Sequence, residues 1–456
     1  MNQVHFIAVG GSVMHNLAIA LHHKGYKVTG SDDEIYDPAR TRLQKLGILP
    51  TEIGWFPNKI HSNLDAVILG MHARKDNPEL LKAQELGLKI YSYPDYFYQQ
   101  SIDKQRVVIA GSHGKTSITS MILHVLNFHN RKFDYLVGAQ LAGFETMVRL
   151  SDDAPVIIVE GDEYPASPTD LVPKFLCYHA HVVLISGIAW DHFNIYPTWS
   201  SYVNQFEQLI AAIPKSGNLF YDQTDSKLNE ISQVEREGLT KMAYQAHPHR
   251  VENGQTLLIT QNGEVPLLIF GDHNMKNLSG AMRVCEELGV TSEQFYEAIQ
   301  TFKGAANRLE TVIKTVDTIV YKDFAHAPSK VEATTAAAKA QFTDRRLVAC
   351  TELHTFSSLN KKFLGQYAHK LDAADVAVVY FNPHTIEHKR LEPISVEEVK
   401  TAFERNDLLV FTESTALEQF LLTQNWNNTN LLMMSSGTFG GLDLKQLVAK
   451  MGLSSE

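Results

Sequence analysis

The chain has 456 residues, of which 44% are hydrophobic and 20% are charged. Because domains usually contain about 100–200 residues, we expect two to four of them, and this composition excludes a disordered or fibrous protein. The formal net charge of -10 argues against nucleic acid or an anionic membrane as the main partner.

The first hundred residues alternate between strand-like and helix-like segments. The sequence predicts short apolar strands at Val4–Val9, Tyr26–Thr29 and Asp65–Leu69, and a helix at Asn77–Leu86. Strands separated by helices indicate βαβ units and a parallel sheet. We therefore expect a Rossmann-like N-terminal domain over residues 1–104.

The same alternation starts again at Arg106–Ala110, a strand that runs into a glycine loop and then a helix. Pro155–Glu160 and Val182–Ile188 are rich in Val and Ile, which is typical of strands buried on both faces. These segments predict a central domain over residues 105–308, built like an ATPase with a phosphate-binding loop.

A third series of strands follows Arg308 and alternates with helical stretches such as Val331–Gln341. The predicted strands are Thr318–Tyr321, Arg346–Cys350, Val376–Tyr380 and Leu431–Met434. They predict a second Rossmann-like domain over residues 309–456. The predicted fold class is therefore α/β, with three domains that are each built on a mostly parallel sheet.

Cysteine usage and hydropathy bear on the cellular compartment. The three cysteines are far apart among apolar residues, so we predict reduced core thiols at Cys177, Cys285 and Cys350. No basic segment precedes a long apolar run at the N-terminus, and no stretch reaches the ~18 apolar residues of a membrane helix. We expect a cytoplasmic protein without membrane insertion.

The strongest local signal is the loop that follows Arg106–Ala110. It consists of Gly111, Ser112, His113, Gly114, Lys115, Thr116 and Ser117. Small residues let backbone N–H groups approach phosphate oxygens, and the following helix presents its positive end to them. Lys115 can reach the β- and γ-phosphates, and the Thr116 hydroxyl can coordinate Mg²⁺. The loop is shorter than the usual eight-residue pattern, but its place between strand and helix predicts nucleotide binding.

Two further strand ends carry candidate metal ligands. Glu160 ends one strand and begins the sequence Glu-Gly-Asp-Glu, and Asp191 and His192 follow the strand Val182–Ile188. A carboxylate and an imidazole at neighbouring strand ends can hold divalent ions against phosphates. Each motif alone is better explained by a solvated acidic turn or a structural histidine. Together with the Lys115 loop, they predict a metal site.

Three polar positions later in the chain suit a nucleotide. Side-chain amides in Gly271–Asn277 can read a purine edge, although the same residues also suit a polar helix start. Asp323 follows a predicted strand and can accept hydrogen bonds from ribose hydroxyls. Arg308 offers a guanidinium that suits a transferring phosphoryl group.

The N-terminal turn Gly10–Ser12 resembles a dinucleotide-binding turn but is incomplete. Its third glycine is missing, with Met14 and His15 in that region. Asp32 lies about twenty residues further on, where that fold places a ribose acceptor. The pattern fits a nucleotide diphosphate other than a dinucleotide, so a nicotinamide dehydrogenase is poorly supported.

Six motifs in order resemble the Mur ligase family, the ATP-dependent amide-forming enzymes of peptidoglycan metabolism. They are Gly111–Thr116, Glu160–Glu163, Asp191–His192, Gly271–Asn277, Arg308–Glu310 and Asp323–Pro328. Each is weak alone, but six in the same order, over essentially the whole chain, argue against chance.

Two segments are similar to the branch of the family that joins UDP-N-acetylmuramate to L-alanyl-γ-D-glutamyl-meso-diaminopimelate. They are the turn Gly11–Met14 and the segment Met434–Gly441. The resemblance implies that ATP phosphorylates the lactoyl carboxylate of UDP-N-acetylmuramate and that the amine of the peptide attacks the resulting acyl phosphate. Two alternatives stay open: the branch that accepts L-alanine, and a UDP-sugar sensor that has lost catalysis.

The resemblance also implies a role for each motif residue, with ATP and Mg²⁺ as cofactors. The implied catalytic residues are Lys115, His192, Arg308 and His326, and the implied metal ligands are Thr116, Glu160 and His192. The implied ATP-binding residues are Gly111, Ser112, His113, Gly114, Lys115, Thr116, Ser117, His273, Asn274, Asn277, Arg308 and Asp323. The implied contacts to UDP-muramate are Gly11, Ser12, Val13, Met14, Ser31 and Asp32, and those to the peptide are His354, Ser436 and Phe439.

Two positions depart from the family pattern. Some members carry a carbamylated lysine on the helix after the Asp-His motif, where this chain has Phe206 and Glu207, so we expect Glu207 rather than a lysine carbamate. The tripeptide-joining branch has Glu-Pro-Arg where this chain reads Glu352-Leu353-His354. A histidine does not replace arginine as a bidentate clamp for a carboxylate. Of the implied properties, the peptide specificity is therefore the one that this departure affects most.

Overall fold

The computed structural model describes residues 2–71, 73–141, 143–166, 172–190, 195–305 and 308–454. The chain divides into two compact units. The first comprises Met1–Ile188, Val203–Tyr244 and Arg283–Gly289, and the second comprises Ala189–Tyr202, Gln245–Met282 and Val290–Glu456. None of the helices in the described ranges has both the length and the apolar character needed to cross a lipid bilayer.

The first unit begins with a four-stranded parallel sheet of order β2-β1-β3-β4. Its strands are β1 (Gln3–Ile7), β2 (Lys27–Ser31), β3 (Ala66–Leu69) and β4 (Ile90–Ser92). The helices that accompany it are α1 (Ser12–His23), α2 (Ala39–Lys45), α3 (Pro78–Glu85) and α4 (Tyr93–Gln99). Apolar side chains from β1 and β3, such as Ile7, Val67 and Leu69, pack with Leu80 and Ala83 of α3 into one core.

A seven-stranded sheet of order β11-β10-β9-β5-β8-β6-β7 follows in the same unit, parallel except for the β6–β7 pair. Its strands are β5 (Gln105–Ala110), β6 (Asp134–Leu136), β7 (Val148–Arg149), β8 (Val156–Glu160), β9 (Val182–Ile185), β10 (Asn218–Asp222) and β11 (Thr240–Tyr244). The helices are α5 (Lys115–Phe128), α6 (Lys174–Cys177), α7 (Trp199–Ala212) and α8 (Ser226–Ser232). Strands β8 and β9 are entirely buried, which explains their Val- and Ile-rich sequences.

The second unit contains an antiparallel sheet of order β12-β13-β14 and a six-stranded sheet of order β15-β16-β20-β17-β18-β19. The strands are β12 (His249–Glu252), β13 (Gln255–Thr260), β14 (Gly263–Leu267), β15 (Glu310–Lys314), β16 (Ile319–Asp323), β17 (Arg346–Leu353), β18 (Val376–Phe381), β19 (Leu409–Phe411) and β20 (Thr429–Met434). The larger sheet is parallel except for the β15–β16 pair. Apolar cores lie against this sheet, which buries strands β17 and β20 almost completely.

Helices α9 to α16 complete the described part of the chain. They are α9 (Asp272–Glu287), α10 (Ser292–Ile299), α11 (Pro328–Gln341), α12 (Lys361–Leu364), α13 (Pro383–His388), α14 (Val396–Phe403), α15 (Ser414–Leu422) and α16 (Leu444–Lys450). Local sequence fixes several of their first residues. Thr291 and Ser395 each form a capping box, and Pro328 occupies the first turn of α11, where its missing N–H costs no hydrogen bond.

The predicted α/β fold class with mostly parallel sheets is confirmed. The predicted strands are present with their ends moved by a few residues, so that Val182–Ile188 ends at Ile185 and Arg346–Cys350 continues to Leu353. The three cysteines are buried and reduced, as predicted. The boundaries at residues 104 and 308 stay a prediction.

Candidate active site

The loop after β5 has the backbone that close approach to a phosphate requires. Gly111 and Gly114 have φ angles of 123° and 78°, which side-chain-bearing residues rarely adopt. A Cβ atom at Gly111 would also lie 2.3 Å from the Ser186 hydroxyl oxygen. Helix α5 begins at Lys115, directly after this loop. The loop and the positive end of the helix together form an anion-binding geometry.

The end of β9 braces the same loop. The Ser112 N–H donates to the Gly187 carbonyl at 3.0 Å, and the Ser186 hydroxyl donates to the His113 carbonyl. Only a glycine fits at 187, because a Cβ there would lie 2.8 Å from the His113 ring. Ser117 is buried in the first turns of α5. These contacts brace the phosphate loop against the end of β9.

Lys115 is held inside the loop by two oxygen atoms. Its Nζ lies 2.6 Å from the Gly111 carbonyl oxygen and 3.2 Å from Oε2 of the buried Glu163. Burial acts to lower the pKa of Lys115, but the charges of Glu163 and Asp162 outweigh it and raise the pKa above its ordinary value. The loop therefore carries a permanent ammonium where a phosphoryl group would bind.

Thr116 and Glu160 place two oxygen donors beside this ammonium. Glu160 ends β8, and since β8 pairs with β5 in parallel register, with Glu160 opposite Ile109, it lies at the edge where the loop begins. The Thr116 hydroxyl donates to Glu160 Oε2 at 3.3 Å. A hydroxyl and a carboxylate are the hard donors that Mg²⁺ uses alongside phosphate and water. The two residues therefore fit the expected ion.

Other ligands for that ion were expected from Asp191 and His192, which lie outside the described residues. In the described ranges, no group of three His, Cys, Asp or Glu side chains forms a metal site. Glu207, the expected replacement for a lysine carbamate, is exposed on α7, whereas Phe206 is buried and packs against Phe175 at 5.8 Å between ring centroids.

The N-terminal turn has a carboxylate rather than an ammonium at its centre. The Gly10 N–H donates to Asp32 Oδ2 at 2.6 Å, and the Asp33 N–H donates to Oδ1 at 2.9 Å. Burial is the main cause that raises the pKa of Asp32 to about 6, and the Asp33 charge adds to it. Helix α1 begins at Ser12 with Gly11 as its N-cap. The turn therefore combines a helix N-terminus with a buried acceptor.

The other residues of the expected UDP-muramate contact set differ in accessibility. Ser31 is buried, and its hydroxyl accepts from Lys59 Nζ at 3.2 Å. Ser12 is exposed and Val13 is half-buried. Met14 is only 4% exposed, so its side chain is not open to a ligand.

In the second unit, Asp323 ends β16 and is fixed by backbone donors. Oδ2 accepts from the Leu309 N–H and Oδ1 from the Ala325 N–H, each at 2.6 Å. Burial raises the pKa of Asp323, and the nearby Arg308 charge only partly opposes this. The Arg308 guanidinium lies 5.1 Å from the centroid of the Phe324 ring. A guanidinium and an oriented carboxylate thus lie close together in this unit.

His326 and the start of α9 supply further polar groups in the second unit. His326 is half-buried, and its Nδ1 lies 2.8 Å from the Phe324 carbonyl oxygen. Burial lowers the pKa of His273 to about 4, so this imidazole is neutral. Asn274 donates to the Phe270 carbonyl at 2.8 Å, and Asn277 is buried.

The carboxyl end of β17 brings the expected peptide contacts together. His354 follows the strand, and the loop after β20 contains Ser436 and Phe439. Glu352 links them, because its Oε2 accepts from the Phe439 N–H at 2.8 Å while its Oε1 lies 3.7 Å from His354 Nδ1. Parallel α/β sheets bind ligands at this edge.

Two models of known families match the chain. One is described as "Mur ligase family, catalytic domain" and matches residues 3–104, and the other is described as "Mur ligase middle domain" and matches residues 109–285. A UDP-N-acetylmuramate–L-alanine ligase from Caldicellulosiruptor bescii is 31% identical over 395 residues, which cover 83% of each chain. The chain belongs to the Mur ligase family. It is accordingly an ATP-dependent ligase of the kind that forms amide bonds.

Two further Mur ligases match over nearly the whole chain. A UDP-N-acetylmuramate–L-alanyl-γ-D-glutamyl-meso-2,6-diaminoheptandioate ligase from Haemophilus influenzae is 28% identical over 461 residues, covering 98% of this chain and 99% of its own. The crystal structure of a murein peptide ligase from Psychrobacter arcticus has a TM-score of 0.65 at 21% identity and covers 100% of both chains. The latter likeness shows the shared fold.

Two residues of this Mur ligase were not singled out from the sequence. Glu163 belongs to the carboxylate cluster after β8, and it is the side chain that lies against Lys115. Glu352 belongs to the Glu-Leu-His segment that departs from the family pattern, and it accepts a hydrogen bond from the Phe439 N–H, next to the expected peptide contacts. Their positions after or at the end of buried strands were the available signal.

Proposed function

We propose that this Mur ligase joins the lactoyl carboxylate of UDP-N-acetylmuramate to the α-amine of L-alanyl-γ-D-glutamyl-meso-diaminopimelate, with ATP converted to ADP and phosphate. The phosphate loop carries the proposal, since Lys115 lies against the loop and Glu160, at the end of β8, accepts a hydrogen bond from Thr116. The tripeptide is supported by the Haemophilus influenzae relative, whose name specifies that acceptor and which aligns over 98% of this chain. Because ATP and UDP-sugars are cytoplasmic metabolites, we also place the reaction in the cytoplasm.

The phosphate loop serves the first half of the proposed reaction. Its N–H groups and the N-terminus of α5 bind phosphate oxygens, and the Lys115 ammonium neutralises charge on the phosphoryl group as it moves to the carboxylate. Thr116 and Glu160 would hold Mg²⁺, which when bound supplies further charge neutralisation to the phosphates. Arg308 adds a second cation for the transferring group.

Other residues select the three substrates. Asp323 has one lone pair free on each oxygen after its two backbone hydrogen bonds, which suits the two hydroxyls of a ribose. Asn274, Asn277 and the neutral His273 are assigned to the adenine. The Gly10–Ser12 turn and Asp32 are assigned to the UDP moiety, because a helix N-terminus accepts a diphosphate and a carboxylate accepts from hydroxyls. His354, Ser436 and Phe439 are assigned to the peptide.

A second candidate acceptor is free L-alanine. The Caldicellulosiruptor bescii relative named for that acceptor is 31% identical. His354 stands where the tripeptide-joining branch has an arginine, which removes one carboxylate clamp from the acceptor side. Both candidates predict the same first half-reaction and differ only in the amine.

Phosphate release tests the proposal. Purified enzyme is given Mg-ATP and UDP-N-acetylmuramate with the tripeptide, with L-alanine, or with no acceptor, and Lys115→Ala serves as the inactive control. We expect release with the tripeptide, and release with L-alanine alone would move the enzyme to the other acceptor. Release with neither, together with tight UDP-sugar binding, would instead identify a sensor.

A further inference from the structure

The end of β17 contains an imidazole backed by a buried carboxylate. Glu352 is 3% exposed, whereas the His354 side chain is 37% exposed. Nδ1 of His354 lies 3.7 Å from Oε1 of Glu352. One nitrogen of the imidazole therefore lies beside the buried carboxylate, while the side chain as a whole is partly exposed.

The carboxylate in this pair is fixed in place. Glu352 Oε2 accepts hydrogen bonds from the Phe439 N–H at 2.8 Å and from the Ser435 hydroxyl. A Cβ atom at Gly437 would lie 2.8 Å from both Glu352 Oε2 and His354 Nδ1, so only glycine lets the loop close over the pair. The orientation of the imidazole is thus set by the strand and the loop together.

A polar atom beside the pair lacks a protein partner. The Ser436 hydroxyl oxygen is buried and, among the described residues, makes no hydrogen bond. A buried hydroxyl without a partner costs free energy unless a ligand or a water supplies one. Ser436 directly precedes Gly437, whose Cβ position lies against His354, so this hydroxyl belongs to the loop that covers the pair.

We propose that His354, oriented by Glu352, is the base that takes a proton from the ammonium of the acceptor. This role rests on the proposed function. With Nδ1–H directed to Glu352, the Nε2 lone pair removes one proton from the –NH₃⁺ group. The amine lone pair then forms the C–N bond to the acyl carbon, the C–O bond to the phosphoryl group breaks, and the departing phosphate takes the electron pair and the second amine proton.

The chemistry explains why a histidine is useful at this position. An amine attacks only in its uncharged form, and most of an α-amine is protonated near neutral pH. An imidazole titrates close to neutral pH and gains a stabilised imidazolium from a neighbouring carboxylate. The same arrangement of base and orienting carboxylate serves the serine hydrolases.

The surroundings of the pair do not compete for the proton. Burial and the charge of Glu352 raise the pKa of Tyr380 on β18, so the hydroxyl of this tyrosine stays neutral. Glu413, next to α15, acts on the same tyrosine hydroxyl and adds negative charge on that side. Tyr380 therefore keeps its proton beside Glu352 and does not act as a base.

Hydroxylamine separates this role from the first half-reaction. It traps an acyl phosphate as a hydroxamate and is uncharged at neutral pH, so it needs no base. For His354→Gln we expect kcat with the tripeptide to fall on the order of 100-fold, which is a usual contribution of a general base. Hydroxamate formation from ATP and UDP-N-acetylmuramate should stay at the wild-type rate, which also shows that the variant is folded.

Two variants complete the test. Glu352→Gln keeps an acceptor for the Phe439 N–H but removes the charge, so it should lower kcat with the tripeptide while hydroxamate formation stays at the wild-type rate. His384→Gln is the matched control, because His384 forms a similar pair with Glu387 at 3.8 Å but is 92% exposed. It should behave as wild type.

The outcomes are distinct. If His354→Gln keeps the wild-type kcat and only its KM for the tripeptide increases, His354 binds the substrate and is not the base. Equal losses of amide and hydroxamate would overturn the base role as well. If wild-type enzyme forms no hydroxamate, the proposed function itself fails, and the base role fails with it.

Discussion

The first compact unit contains two glycine turns that look alike and differ in their chemistry. Gly10–Ser12 joins β1 to α1, and Gly111–Gly114 joins β5 to α5, so both place glycines before a helix N-terminus. At the first turn, the Gly10 N–H is bonded to the carboxylate of Asp32. At the second, the ammonium of Lys115 lies 2.6 Å from the Gly111 carbonyl oxygen.

The difference shows which part of a strand–turn–helix unit sets its function. The helix end provides a positive potential at both turns, and this is enough to bind a phosphate. Only the second turn adds an ammonium and a hydroxyl that can act on a phosphoryl group during transfer. The first turn adds an acceptor for hydroxyls instead. We therefore expect damage to the second turn to affect turnover and damage to the first to affect affinity.

The largest effect is expected from Lys115→Ala. The change removes the cation that neutralises the transferring phosphoryl group, so turnover should fall on the order of 100- to 1,000-fold. The affinity for UDP-N-acetylmuramate, measured by calorimetry, should stay at its wild-type value. Lys132→Ala is the control, because its exposed pair with Asp153 is in the same unit. Retained turnover in Lys115→Ala would disprove the assignment of the second turn.

A smaller effect is expected from Gly111→Ala. The added Cβ would meet the Ser186 hydroxyl at 2.3 Å, at a φ of 123°, so the loop must move away from its phosphate-binding form. We expect the KM for ATP to rise about 30-fold, equivalent to about 2 kcal/mol of the strain cost usual for such sites. Gly143→Ala is the matched control, since its φ is 83° but no atom lies within 4 Å. If Gly143→Ala raised the KM for ATP as much as Gly111→Ala, backbone strain alone, and not the clash with Ser186, would explain the increase.

These two turns were also unequal in how far the sequence predicted them. The Lys115 loop was recognised from residues that are adjacent in sequence, because glycine, lysine and threonine carry its chemistry locally. The Asp32 contact needed the spacing of a known fold, since Gly10 and Asp32 meet only when β1 and β2 pair. Glu163 and Glu352 were not singled out, because their roles depend on which loops fold over them.

The antiparallel sheet of the second unit was missed although its signal was present. Asn253-Gly254 and Asn262-Gly263 flank the segment Gln255–Thr260, which is rich in Leu, Ile and Thr. Asn-Gly pairs favour the tight turns of hairpins, because both residues tolerate positive φ, and Asn253 and Gly254 have φ angles of 50° and 74°. These two Asn-Gly turns therefore carry the sequence signal for the hairpins of β12 to β14.

At the first turn, Gly10→Ala should lower affinity without lowering the maximum turnover. The added Cβ would lie 2.9 Å from Asp32 Oδ2 and 3.0 Å from the Glu34 carbonyl oxygen, so it displaces the carboxylate. We expect the Kd for UDP-N-acetylmuramate to rise about tenfold, as for the loss of one charged hydrogen bond. Gly365→Ala, where no atom lies within 4 Å of the new Cβ, should leave that Kd unchanged. A change in the KM for ATP alone would contradict the division between the turns.

The smallest effect concerns the protonation of Asp32. Its pKa is raised to about 6, mainly by burial, so the carboxylate is ionised at neutral pH and protonated in a growing fraction of molecules as the pH falls through 6. A hydroxyl of the ligand donates to the ionised form, so binding favours loss of the proton, and affinity must decrease as the acid form accumulates. Between about pH 7.5 and about pH 6 the Kd for UDP-N-acetylmuramate should therefore rise roughly twofold, because about half of the sites are then protonated. Asp32→Asn cannot titrate, so calorimetry on this variant should give the same Kd at both pH values. If the Kd rose equally in the wild type and in Asp32→Asn, the titrating group would lie on the ligand or on another residue. The N-terminus of α1 would then be the sole source of affinity at the first turn.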